Sequence, residues 1–139
     1  MRYQVFGLLC AGLLIPNLHF GQLQDCTLGI GNKDTEVIFQ VFKLNEEQKV
    51  IAEALASEYQ KDSRLIQEQV DDLFESHPQQ TPEDLQKMAK KFDSLKIRLI
   101  DMSRSYDQKL VSLFDQKQFE VYLQLCNEVR RKPLTPNQK

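Results

Sequence analysis

Few residues in this sequence have the type and spacing that chemistry demands. Outside the first twenty or so residues His77 is the only histidine, and it stands beside Pro78 in the stretch HPQQT. A base for a serine or cysteine nucleophile must itself be held by a third group, and His77 has no such neighbour. Asp71 and Asp72 are adjacent. On a helix such neighbours point in different directions, so they make no acid–base pair. Gly29-Ile30-Gly31 opens no strand–turn–helix unit of the kind that cradles phosphate. Zinc-like metals want several His or Cys ligands at close spacing. Only His77 with a carboxylate such as Glu75, shared across a dimer, approaches such a set. Met88 and Met102 fall at core spacing, not ligand spacing. The residues therefore predict no enzyme, no cofactor and no resident metal.

The cysteines are Cys10, Cys26 and Cys126. In an oxidising compartment Cys26 and Cys126 can pair. The bridge would close a loop of about 100 residues, worth about 4 kcal/mol on a chain-entropy view. Against this stands a buried apolar thiol at Cys126 with a free Cys26. A third reading makes Cys26 a lipid-attachment site, which Asp25 in front of it disfavours.

Residues 1–21 read as a secretory signal. Arg2 supplies the positive start, and VFGLLCAGLLI, from Val5 to Ile15, is the apolar stretch. It is shorter than the ~20 apolar residues that span a bilayer. Pro16 and Asn17 break it, and Gly21 offers a cleavage site, although His19 stands where a small residue is usual. Cleavage removes Arg2 and no acid, which moves the net charge from −2 to −3. That balance predicts no nucleic-acid partner.

The remaining chain reads as helices. Residues 22–33 hold two glycines and little periodicity, and read as a flexible leader. Asp34 is placed to cap a short helix over 35–43, with Val37, Ile38, Val41 and Phe42 on one side. A strand competes there, but no partner strand occurs elsewhere. Asn45 and Gln48 form a capping box for a helix over 46–76, striped by Ile51, Leu55, Tyr59, Ile66, Val70 and Leu73, with Asp62 interrupting. His77-Pro78 stops it. Thr81, Pro82, Glu83 and Asp84 start the next helix. Its seam of Leu85, Met88, Phe92, Leu95, Leu99, Met102 and Tyr106 steps by three and four. Asp115 caps a last helix to about 131, with Phe119, Tyr122, Cys126 and Val129 on one face. Residues 132–139, with Pro133 and Pro136, read as a disordered tail.

These elements predict an all-α fold over residues 34–131, a long antiparallel helical hairpin flanked by two shorter helices. Two helices make a thin core. The short ones must fold back, or a second subunit must cover the open face, so a homodimer is expected.

Leu44-Asn45-Glu46-Glu47-Gln48 and Phe114-Asp115-Gln116-Lys117-Gln118 lie 70 residues apart. Each has an apolar anchor, a cap residue, two polar residues and a glutamine. As two capping boxes they need no further meaning; as equivalents they mark matching turns of a pseudo-symmetric fold. The pair resembles the two LTxxQ motifs of the Spy/CpxP family of periplasmic proteins. The likeness covers roughly residues 34–131. Asn45 replaces Thr in the first motif, and Phe114 and Asp115 replace Leu and Thr in the second. Membership would imply a curved helical dimer in the periplasm of a Gram-negative cell. The family's roles are ATP-independent chaperoning of unfolded envelope proteins, modulation of stress sensing, and metal response.

A binding protein for unfolded or partner envelope proteins is therefore the leading expectation, with no small-molecule substrate. A metal-responsive sensor and a structural or adaptor protein are the alternatives. Lys87, Lys90, Lys91, Arg98 and Arg104 are candidate contacts, although their interleaving with Glu83, Asp84, Asp93, Asp101 and Asp107 also suits a solvated outer face. If Cys26 and Cys126 pair, the oxidised protein resists alkylation until it is reduced. Two freely reactive thiols in mass spectrometry would rule the bridge out.

Overall fold

Asn45, Thr81 and Asp115 each accept the backbone N–H of the third residue of the helix they open. The side chain of that third residue, Gln48, Asp84 or Gln118, returns the bond to the cap's own N–H. Full capping boxes thus set three helix starts. In a computed structural model, which describes residues 24–137, the helices are α1 (Thr35–Val41), α2 (Glu46–Ser76), α3 (Pro82–Val111) and α4 (Gln116–Glu128). The expected signal segment, residues 1–21, lies outside the described residues. The fold is all-α, as the periodicity implies.

Asp34 departs from expectation, because its side chain makes no cap bond. Thr35 acts instead. Its Oγ1 accepts from Gly31 N–H and donates to the Asn32 carbonyl. The α1 and α4 ends are closed by residues in the left-handed region, Lys43 (φ 50°) and Arg130 (φ 54°). Beyond each, Leu44 N–H reaches the Phe39 carbonyl and Arg131 N–H the Cys126 carbonyl, which terminates the helix.

Helices α2 and α3 run antiparallel. Phe74 meets Phe92, Gln69 meets Arg98 and Tyr59 meets Tyr106, so numbers fall on α3 as they rise on α2. The core gathers at the open end of this hairpin. Ile38, Phe39 and Phe42 of α1, Ala52, Ala56 and Tyr59 of α2, Leu110 and Val111 of α3, and Tyr122 and Cys126 of α4 are buried there. Toward the 77–81 turn only Ile66 is buried; Val70, Leu73, Met88, Phe92, Leu95 and Leu99 are half-covered. Two expected seam residues, Ile51 and Leu85, are exposed. Small Ala52 and Ala56 occupy the buried line beside Ile51, which apolar size alone did not reveal.

Residues 24–32 of the expected flexible leader and 132–137 of the expected disordered tail are packed, while 22–23 and 138–139 lie outside the described residues. Residues 24–32 form a strap across the open end, with Cys26 and Ile30 buried. Residues 131–137 run beside the start of the strap. Cys26 N–H donates to the Lys132 carbonyl at 2.7 Å, and Lys132 N–H to the Gln24 carbonyl at 2.8 Å. Leu134 is buried, and Asn137 N–H reaches Ser112 Oγ. Sparse apolar residues hid these segments, but Cys26, Ile30 and Leu134 enter the core and Leu28 packs against it.

Tyr106 Oη donates to Asp62 Oδ2 at 2.6 Å, which explains the polar gap in the α2 stripe. The bond to the carboxylate, with burial, holds the phenol protonated and pushes its pKa up to about 12. The folded value exceeds the unfolded one of about 10. This stabilisation is therefore complete below pH 10 and is lost as pH rises through about 12. In a spectrophotometric titration Asp62→Asn should bring this tyrosine back toward 10. No movement would show that the bond is absent.

Candidate functional site

The two similar pentapeptides meet. Gln48 and Gln118 lie with their carboxamides in mutual contact, Gln48 Nε2 donating to Gln118 Oε1 at 2.8 Å and Gln118 Nε2 to Gln48 Oε1 at 3.0 Å. Each amide also reaches across to the opposite junction. Gln48 Nε2 donates to the Leu113 carbonyl at 2.7 Å, and Gln118 Nε2 to the Lys43 carbonyl at 3.4 Å. Leu113 and Lys43 are themselves 70 positions apart, so the arrangement is a local pseudo-two-fold. Each Oε1 also accepts its own cap's N–H, from Asn45 or Asp115. Both amides are thus saturated, two bonds given and two received. Leu44 is buried, and Phe114 stacks on Phe42 at 4.6 Å beside the pair. The motif residues form a fastening between the α1–α2 and α3–α4 junctions, with no group poised for catalysis.

A second cluster fixes the strap. Cys26 and Cys126 form a disulfide, with Cα atoms 5.6 Å apart. Tyr122 Oη donates to the Cys26 carbonyl and accepts from Leu134 N–H, joining strap and tail. Burial pushes its phenol pKa up. Asp107, expected on the outer face, is instead fully buried. Its carboxylate accepts from the N–H groups of Leu28, Gly29 and Ile30 at 2.8, 2.9 and 2.9 Å. Burial pushes this carboxyl above the ordinary range, while the three donors pull it back. Gly29 and Gly31 adopt φ of 76° and 86°, which turns the strap so that its amides converge. Asp107 was not identifiable from sequence. It lies one step off the Tyr106 seam, and its partners are more than 75 positions away.

The candidate basic contacts do not form one patch. Lys87, Lys91 and Arg98 recur along the flank of α3 that faces Gln69, where Arg98 donates to the Gln69 side chain. Arg104 lies toward the strap, paired with Asp25 at 2.6 Å. His77 contacts the Pro78 carbonyl, and among the described residues no group of His, Cys, Asp or Glu is arranged to hold a metal ion.

On its strap side, the hairpin carries apolar residues that the described residues leave about half exposed. Gln60 of α2 donates to the Gly31 carbonyl of the strap, and Phe74 lies fourteen residues on, on the same flank. Asp107 of α3 holds the strap, and Ile100 precedes it by seven, two turns along the same side. Leu85 continues that line. Phe74, Leu85 and Ile100 are 45%, 46% and 49% exposed. Ile100 opens onto a groove of about 1190 Å³ lined also by Asp25, Arg104, Leu123, Arg131 and Leu134.

The fold defines the class, an all-α protein built on a long helical hairpin whose open end is strapped shut. Compared with known families, characterised proteins and solved structures, the chain matches none.

Replacing Gln118 by Glu removes both N–H donors and sets a carboxylate against two acceptors. A loss of about 1–3 kcal/mol in thermal or urea unfolding is expected near neutral pH. The buried acid's pKa would lie above its unfolded value, so part of the loss returns as pH falls below about 5. A loss independent of pH would mean that the amide pair is not the fastening.

Proposed function

We propose that this is an exported, non-enzymatic binding protein of the Spy/CpxP type, an ATP-independent chaperone or envelope-stress modulator. It engages unfolded or partner envelope proteins and acts as a homodimer. The observation that carries this reading is the half-exposed apolar flank of Phe74, Leu85 and Ile100 on the long hairpin. An exposed apolar strip with a polar surround suits the apolar segments that an unfolded chain presents. Two further features agree with it. The Cys26–Cys126 bridge suits an oxidising compartment, as export requires. The matched capping motifs meet in one pseudo-symmetric junction, which gives the two pentapeptides a shared purpose.

The thin core toward the 77–81 turn favours a second copy packed along the hairpin. A structural or adaptor protein would use the same flank between copies and hold no client. The purified chain should suppress aggregation of a chemically unfolded client near equal molar ratio without ATP, and light scattering should give twice the chain mass. Leu85→Ser with Ile100→Ser should weaken suppression at a cost of about 1 kcal/mol or less at each site, because both side chains are already half in water. A folded dimer with no suppression would leave the adaptor role.

A further inference from the structure

The strap is held to the hairpin by a few discrete bonds and lies on the flank assigned above to binding. Apart from one bridge to Lys132 it belongs to no regular element. The Cys26–Cys126 disulfide, the Asp107 carboxylate, the Tyr122 hydroxyl and the Gln60 amide fasten it. Gly31 lies so close to α2 that a Cβ there would stand 2.6 Å from Tyr59 Cδ1 and 2.9 Å from the Ala56 carbonyl oxygen.

We propose that the strap is an internal occupant of the binding flank, and that the Cys26–Cys126 bridge determines whether a client can displace it. This rests on the binding function proposed above. The strap shows what the covered part of the flank accepts: an irregular, glycine-turned segment with apolar side chains, here Leu28 and Ile30, and backbone N–H groups that converge on Asp107. An unfolded protein segment offers both. With the bridge closed the strap stays beside its site, and a client competes against a tethered rival. With the bridge open only hydrogen bonds and packing retain it, and the client's face extends from Phe74, Leu85 and Ile100 onto Tyr59 and Asp107.

Closure is a thiol–disulfide exchange with a disulfide oxidant. One cysteine thiolate attacks the oxidant's disulfide to give a mixed disulfide. The other displaces the oxidant's remaining sulfur. The chain gives up two electrons and two protons, and the oxidant leaves as two thiols. Both sulfurs are then buried, Cys26 2% and Cys126 0% exposed, out of reach of solvent thiols. Oxidation is thus a latch that closes at maturation and opens only when the strap lifts to a dithiol reductant.

The test is fluorescence anisotropy with labelled, carboxymethylated lactalbumin, a permanently unfolded probe without thiols. It is titrated with the oxidised chain, the dithiothreitol-reduced chain, the Cys26→Ser/Cys126→Ser variant and the oxidised Gly31→Ala variant, which lifts the strap with the bridge intact. On the order of tenfold tighter binding by the reduced and double-serine forms is expected, with Gly31→Ala moving the same way. Should the cysteine-free form fail to fold by circular dichroism, the oxidised Gly31→Ala variant decides. Equal affinity of the oxidised wild type and the strap-lifted forms overturns the latch and leaves the binding function standing. No binding by any folded form overturns both.

Discussion

Two packed helices bury one stripe each and leave the rest of their surface in water, and that shortage of core shapes everything else in this protein. Between Ile66 and Tyr106 no described residue is buried. The hairpin cannot stabilise itself along that length. Its order rests on capped starts, on the Phe74–Phe92 contact and on what is built at the open end. There, all four helices contribute large side chains to one cluster around Tyr122 and Leu110.

The open end is closed in two different ways. The glutamine pair is reciprocal, each residue capping its own helix and bonding the opposite junction, so small local motifs gain a long-range role. The strap is one-sided and has no counterpart 70 positions away. A covalent bridge, a buried carboxylate and a buried phenol hold it, and the carboxylate and phenol meet backbone groups that would otherwise lie unpaired next to the core. Burying Asp107 is costly, and its three N–H donors offset that cost while orienting the strap.

The same shortage of core explains the exposed flank. Where the strap lies, the side of the hairpin is covered; beyond it, Ile100, Phe74 and Leu85 continue the apolar line into solvent. Cover and exposure are parts of one surface, so binding, dimerisation and strap release all compete for it in the proposed function. The basic residues of α3 divide between opposite sides and supply no single-sign patch.

The sequence by itself determined the helices, because capping boxes and apolar periodicity are local properties of a chain. Asn45, Thr81, Asp115 and His77-Pro78 fixed element ends to within a residue or two. It also showed the two motifs to be alike and named the two cysteines able to pair. Tertiary structure alone decided where Asp107 lies, that the glycine-containing strap and the proline-containing tail are packed, and that Ala52 and Ala56 line the core in place of Ile51. Each of these depends on groups brought together from distant positions. A carboxylate's burial or a small residue's fit is a property of the partner surface, and no local pattern encodes it.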